Sequence, residues 1–76
     1  MQSETTLKDF GQHLKKIRTT KNLSQEKLAH IADLDRTYIS GVERGVRNIS
    51  LINIVRLAEG LEVPPSELFQ FGEYNA

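Results

Sequence analysis

Apolar residues recur along this chain at helical spacing, and no stretch alternates as a half-buried strand would. Leu7, Phe10, Leu14 and Ile17 fall on one stripe, with Lys8, Lys15, Lys16 and Arg18 off it, the last three expected to be solvated. That spacing predicts a helix over 6–21, capped by Thr5 or Thr6. Ser24 caps a second helix over 25–32, with Glu26 in its first turn and Leu28, Ile31 and Ala32 inward. Asp33 and Leu34 make a turn, and Asp35 caps a third helix over 36–44 whose Ile39 and Val42 face in. Gly45 follows as a left-handed stop, and Val46 to Ile49 form a loop. Ser50 caps a fourth helix over 51–60, lined by Leu51, Ile54, Leu57, Ala58 and Leu61. Pro65 opens a fifth over 65–70, anchored by Leu68 and Phe69. The expected fold is all-α: a compact five-helix bundle, one domain over 1–76, with 1–5 and 72–76 fraying.

Composition narrows the chemistry. A chain of 76 residues buries a small core, so a second copy would add stability. It has no Cys, which removes disulfides, thiolate metal sites and thiol catalysis. His13 and His30 have no further ligands at useful spacing, so no metal site is expected. Ser24 is committed as a cap and makes no nucleophile–base pair with His30. No Gly-rich phosphate loop is present. An enzyme therefore has no support, and neither a cofactor nor a small-molecule substrate is called for. No apolar run approaches the roughly 20 residues of a membrane span, and the first residues lack an apolar signal core. A soluble, intracellular protein with no membrane association is expected.

Net charge is zero, but its distribution is polarised. Lys8 to Arg47 hold nine basic and five acidic side chains, a net +4, whereas Asn48 to Ala76 hold one basic and four acidic, a net −3. A local basic face attracts phosphate even when the total is neutral.

The stretch Leu23 to Gly45 reads as two short helices on a tight turn, the first bracing the second. Ala29 suits a close crossing and Leu34 plugs the corner. With Ile39 and Val42 inward, Arg36, Thr37, Tyr38 and Ser40 lie on the other face, a polar surface suited to base edges. Arg36 can bond guanine O6 and N7 in a bidentate pair, and the Thr37 methyl can touch thymine while its hydroxyl bonds a base or phosphate. Arg47 can enter a groove from the loop, and Gly41 leaves room for a close backbone. Gln25, Arg44 and Asn48 suit the phosphate backbone instead. Glu43 would repel phosphate and is expected to pair with an arginine.

Over about Leu14 to Phe69 the chain resembles the lambda-repressor-like helix-turn-helix family. Within it, LDRTYISGVERGVRN, Leu34 to Asn48, looks like the controller proteins of bacterial restriction–modification systems. The resemblance implies a small all-helical homodimer that binds pseudo-palindromic double-stranded operator DNA, activating at low occupancy and repressing at high. It carries DNA contacts to Arg36, Thr37, Tyr38, Arg47 and Asn48, and more weakly to Ser40, Arg44 and Ser50. The family turn commonly holds Gly where this chain has Asp33, which tolerates left-handed geometry.

Ile52 is apolar where the family is commonly polar. With Val55, Val63, Phe69 and Phe71 it marks an expected dimer interface on the fourth and fifth helices. Glu26 is a candidate contact for RNA polymerase. The rival is a phage-type repressor, or an antitoxin or antirepressor scaffold working mainly through protein–protein contacts.

Overall fold

Ser24, Asp35 and Ser50 each start a helix as their side chains dictate. In a computed structural model describing residues 3–72, they accept hydrogen bonds from the backbone N–H groups of Lys27, Thr37 and Asn53. The elements are α1 (Ser3–Thr20), α2 (Gln25–Ala32), α3 (Arg36–Glu43), α4 (Leu51–Leu61) and a 3-10 helix (Pro65–Phe69). Expectations for 1–2 and 73–76 lie outside the described residues, among which there is no strand.

The helix ends share one device. Asn22, Asp33, Gly45 and Glu62 all take left-handed φ, between 58° and 77°. After each, the next residue's N–H reaches back five positions: Leu23 to Arg18, Leu34 to Ala29, Val46 to Gly41 and Val63 to Ala58. These are Schellman closures, with an apolar residue placed to pack on the helix just ended. Leu23, Leu34 and Val63 do pack on the core; Val46 is exposed. Asp33 thus takes the geometry for which the family commonly uses glycine.

Every element contributes to one core. Leu14, Leu28, Ile39, Leu57, Leu61 and Leu68 are fully buried, and burial of each such side chain is worth about 1.5–3 kcal/mol. α1 packs on α3 and the 3-10 helix, while α2 packs on α3 and α4.

Four expectations are corrected. The fifth helix is 3-10, not α: Glu67 N–H bonds Pro64 O and Gln70 N–H bonds Glu67 O, both spanning three residues. A five-residue segment led by two prolines is too short to establish α turns. α1 starts at Ser3, so Thr5 and Thr6 lie inside it rather than capping it. Ile31 and Leu51, expected inward, are 46% and 73% exposed. Arg18, expected in solvent, is buried.

Candidate nucleic-acid interface

α3 is eight residues long, about 12 Å, a size that fits a DNA major groove. Ile39 and Val42 fix its inner face to the core. Arg36 and Thr37 are exposed on the outer face, with Tyr38 and Ser40 half-buried at its margins.

The far end of α3 is anchored by a buried ion pair. Arg18 Nε donates to Glu43 Oε2 at 2.6 Å and its Nη2 to Oε1 at 3.0 Å, while Nη1 donates to the Leu23 carbonyl at 2.7 Å. Glu43 was expected to pair with an arginine, and Arg18 on α1 is the partner. A planar guanidinium matched to both carboxylate oxygens is the strong form of this contact. Gln25 Nε2 adds a third hydrogen bond to Glu43 Oε1 at 2.9 Å. One carboxylate therefore ties α1, the start of α2 and the end of α3. Gly11 lets α1 approach, since a Cβ there would overlap the Val42 carbonyl oxygen and lie 2.6 Å from that of Glu43. Arg18 and Glu43 each stand four residues beyond a fully buried residue, Leu14 and Ile39. Opposite charges at that spacing on two helices were the available signal for this pair.

Past α3, Arg47 folds back. Its guanidinium carbon lies 5.1 Å from the centroid of the Tyr38 ring, a cation–π distance. Its stem runs over Gly41, where a Cβ would overlap Arg47 Cγ. The room expected at Gly41 for an approaching backbone is thus occupied by this side chain.

Local bonds determine what each polar group can still offer. Thr37 Oγ1 donates to Asp35 Oδ1 at 3.0 Å, leaving the hydroxyl as an acceptor beside its methyl group. Asn48 Oδ1 accepts from Ile49 N–H at 2.8 Å, so its amide NH2 points to use as a donor. Ser50 Oγ accepts from Asn53 N–H at 3.2 Å and keeps a proton to donate. Gln25 spends one amide hydrogen on Glu43 and retains the second, beside the N–H groups opening α2. Arg44 ends α3 with its side chain exposed, and Glu26 is exposed on α2. The structure thus brings Arg36, Thr37, Tyr38, Ser40, Arg44 and Arg47 together around α3, with Gln25 at the head of its brace and Asn48 and Ser50 on the chain that follows.

A second surface is apolar. Leu51, Ile52 and Val55 form an exposed strip on α4, and Phe69 is 46% exposed on the 3-10 helix. Of the other residues expected at a dimer contact, Val63 is half-buried against the core. Phe71 is 8% exposed, packed edge-on to Phe10 at 5.7 Å between ring centroids and beside His13. Phe71 is therefore a core residue of the single chain, and its assignment to the interface is withdrawn. Among the described residues no helix is long and apolar enough to cross a membrane.

A helix-turn-helix family model matches residues 14–68. The control protein C.BamHI of Bacillus amyloliquefaciens is 54% identical over 63 residues, covering 82% of this chain and 78% of its own. C.MunI of Mycoplasma sp. is 52% identical over 61 residues, covering 79% and 82%. The crystal structure of the restriction–modification controller protein C.AhdI from Aeromonas hydrophila superposes with a TM-score of 0.85 at 55% identity, over 86% of this chain and 98% of that one. C.Esp1396I, solved as a tetramer on its natural 35 base-pair operator, gives 0.77 at 42% identity, over 84% of each chain. A polar helix face braced by a second helix, a fold shared with solved controller proteins and identities above half over most of the chain have one reading: this protein belongs to the helix-turn-helix family, among the controller proteins of restriction–modification systems.

Proposed function

We propose that this chain is a sequence-specific, dimeric regulator of a restriction–modification operon, activating and repressing its own transcription from an operator upstream. The observation that carries the proposal is the exposed face of α3 continued by Arg47, held over Tyr38. Arg36, Thr37, Tyr38, Ser40 and Arg47 read bases, Arg36 by a bidentate bond to guanine. Gln25, Arg44, Asn48 and Ser50 hold the phosphate backbone, each with a donor left after its internal bonds.

Two copies pair through Ile52, Val55 and Phe69, with Val63 at the margin. A two-fold contact there sets two α3 helices one DNA turn apart, about 34 Å, and calls for a pseudo-palindromic site. The relative solved as a tetramer on its operator supports assembly on DNA. Glu26 offers an acidic contact for RNA polymerase in activation, and the site of action is the cytoplasmic nucleoid.

A mobility-shift titration on DNA from upstream of the protein's own gene tests this. A specific shift at or below micromolar protein is expected. Equal binding to scrambled DNA would refute sequence-specific binding and favour a protein-interaction scaffold. Glu26→Ala should lower activation in a reporter strain while leaving the shift unchanged; unchanged activation would refute the polymerase contact.

A further inference from the structure

We infer that Gly41 is a positioning residue for sequence discrimination, acting solely as the seat on which the Arg47 side chain lies. The inference rests on the proposed DNA reading.

Gly41 sits inside α3, where glycine weakens a helix relative to alanine. Its backbone does not require glycine, because the glycines with left-handed φ are Gly45 and Gly72. Nor does another main chain cross it. At Gly11 an added Cβ meets α3 carbonyl groups, whereas the nearest atoms to one at Gly41 are all from Arg47: Cγ, overlapped, and Cβ and Cδ at 3.5 Å each. The space above Gly41 is filled by one flexible side chain from the following loop.

That side chain is fixed at three points. The loop is tied down by the Val46 N–H bond to Gly41 O at 3.0 Å. The stem crosses Gly41, and the guanidinium ends over Tyr38, one helical turn back on the same face. An arginine held in one direction can distinguish hydrogen-bonding patterns on a base edge. A freely rotating one contributes mostly charge, which attracts any sequence. Removing the seat should therefore cost discrimination more than affinity.

Gly41→Ala tests the inference, because alanine suits the helix and its Cβ is accommodated by displacing Arg47. In NMR spectra without DNA, the Arg47 side-chain protons of the wild type should carry ring-current shifts from Tyr38, and these should collapse in the variant. On a duplex enriched from a randomised pool by the wild-type chain, preference over single-base-pair variants should fall roughly tenfold, the scale of one well-placed arginine contact. Affinity for a scrambled duplex should hold. In an Arg47→Ala background, Gly41→Ala should change neither quantity, and the double variant should melt no lower than Arg47→Ala alone. Unchanged ring-current shifts, an equal loss of preference without Arg47, or a double variant that fails to fold would each overturn the seat. A wild-type chain that enriches no sequence overturns the DNA reading instead; the two failures are distinguishable because the NMR measurement needs no DNA.

Discussion

The polar face around α3 and the apolar strip on α4 are both exposed, yet their side chains are held differently. Around α3, Thr37 is bonded to Asp35, Asn48 to the backbone of Ile49, Ser50 to that of Asn53 and Gln25 to Glu43, and Arg47 lies on Tyr38. On α4, Leu51, Ile52 and Val55 are 73%, 67% and 37% exposed. The contrast follows from the physics of the two kinds of contact. A hydrogen bond to a base edge or a phosphate depends on direction, so a polar group that makes one gains from being fixed beforehand. Apolar association depends mainly on area removed from water and tolerates looser side chains.

The largest effect should come from breaking the support beneath the polar face. Glu43→Ala leaves Arg18 buried without its carboxylate, a change worth about 3–5 kcal/mol, and a thermal melt should show most of the domain's stability lost. Replacing both partners, Arg18→Met with Glu43→Leu, should recover much of it, because matched apolar groups leave no stranded charge. A single variant as stable as the wild type would show that the pair is not what fixes α3.

The polar face itself is probed by Arg36→Ala, expected to lose about 1–3 kcal/mol of operator affinity while the melting temperature stays put. A loss equal on operator and scrambled DNA would move Arg36 from base reading to backbone contact. Ile52→Glu addresses the apolar strip and should raise the dimer dissociation constant at least about tenfold, roughly 1.4 kcal/mol, as read by sedimentation, with the monomer melting unchanged. Unaltered association would place the two-fold contact elsewhere. Together these variants would separate a face that fails by losing direction from one that fails by losing area.

What was legible from the residues was what they encode locally. Ser24, Asp35 and Ser50 act within three positions along the chain, so their role as caps could be read directly. The outward face of α3 follows from Ile39 and Val42 alone. Ile31 and Leu51 were misplaced because each lies near the boundary of its helix's apolar stripe, where spacing defines the inward face poorly. Arg18 was hidden because its partner lies 25 residues away. Gly11 and Gly41 were illegible in the same sense: what a glycine admits is decided by another segment. Phe71 resembled an interface residue until its ring was found against Phe10.

The left-handed helix ends bear on how long the protein lasts in a cell. Asn22, Asp33 and Glu62 hold side chains in a conformation that glycine enters without steric penalty. Asp33 and Glu62 also place a negative charge where the helix dipole is negative. In a small domain, a deficit of even about 1 kcal/mol raises the unfolded fraction about fivefold, and proteases act on that fraction. Glu62→Gly should lower it by up to about fivefold, about 1 kcal/mol, and a pulse-chase measurement should show slower turnover; an unchanged half-life would mean that removal does not pass through the unfolded chain. On that account the turns set a persistence time for the regulator, separately from its grip on any sequence.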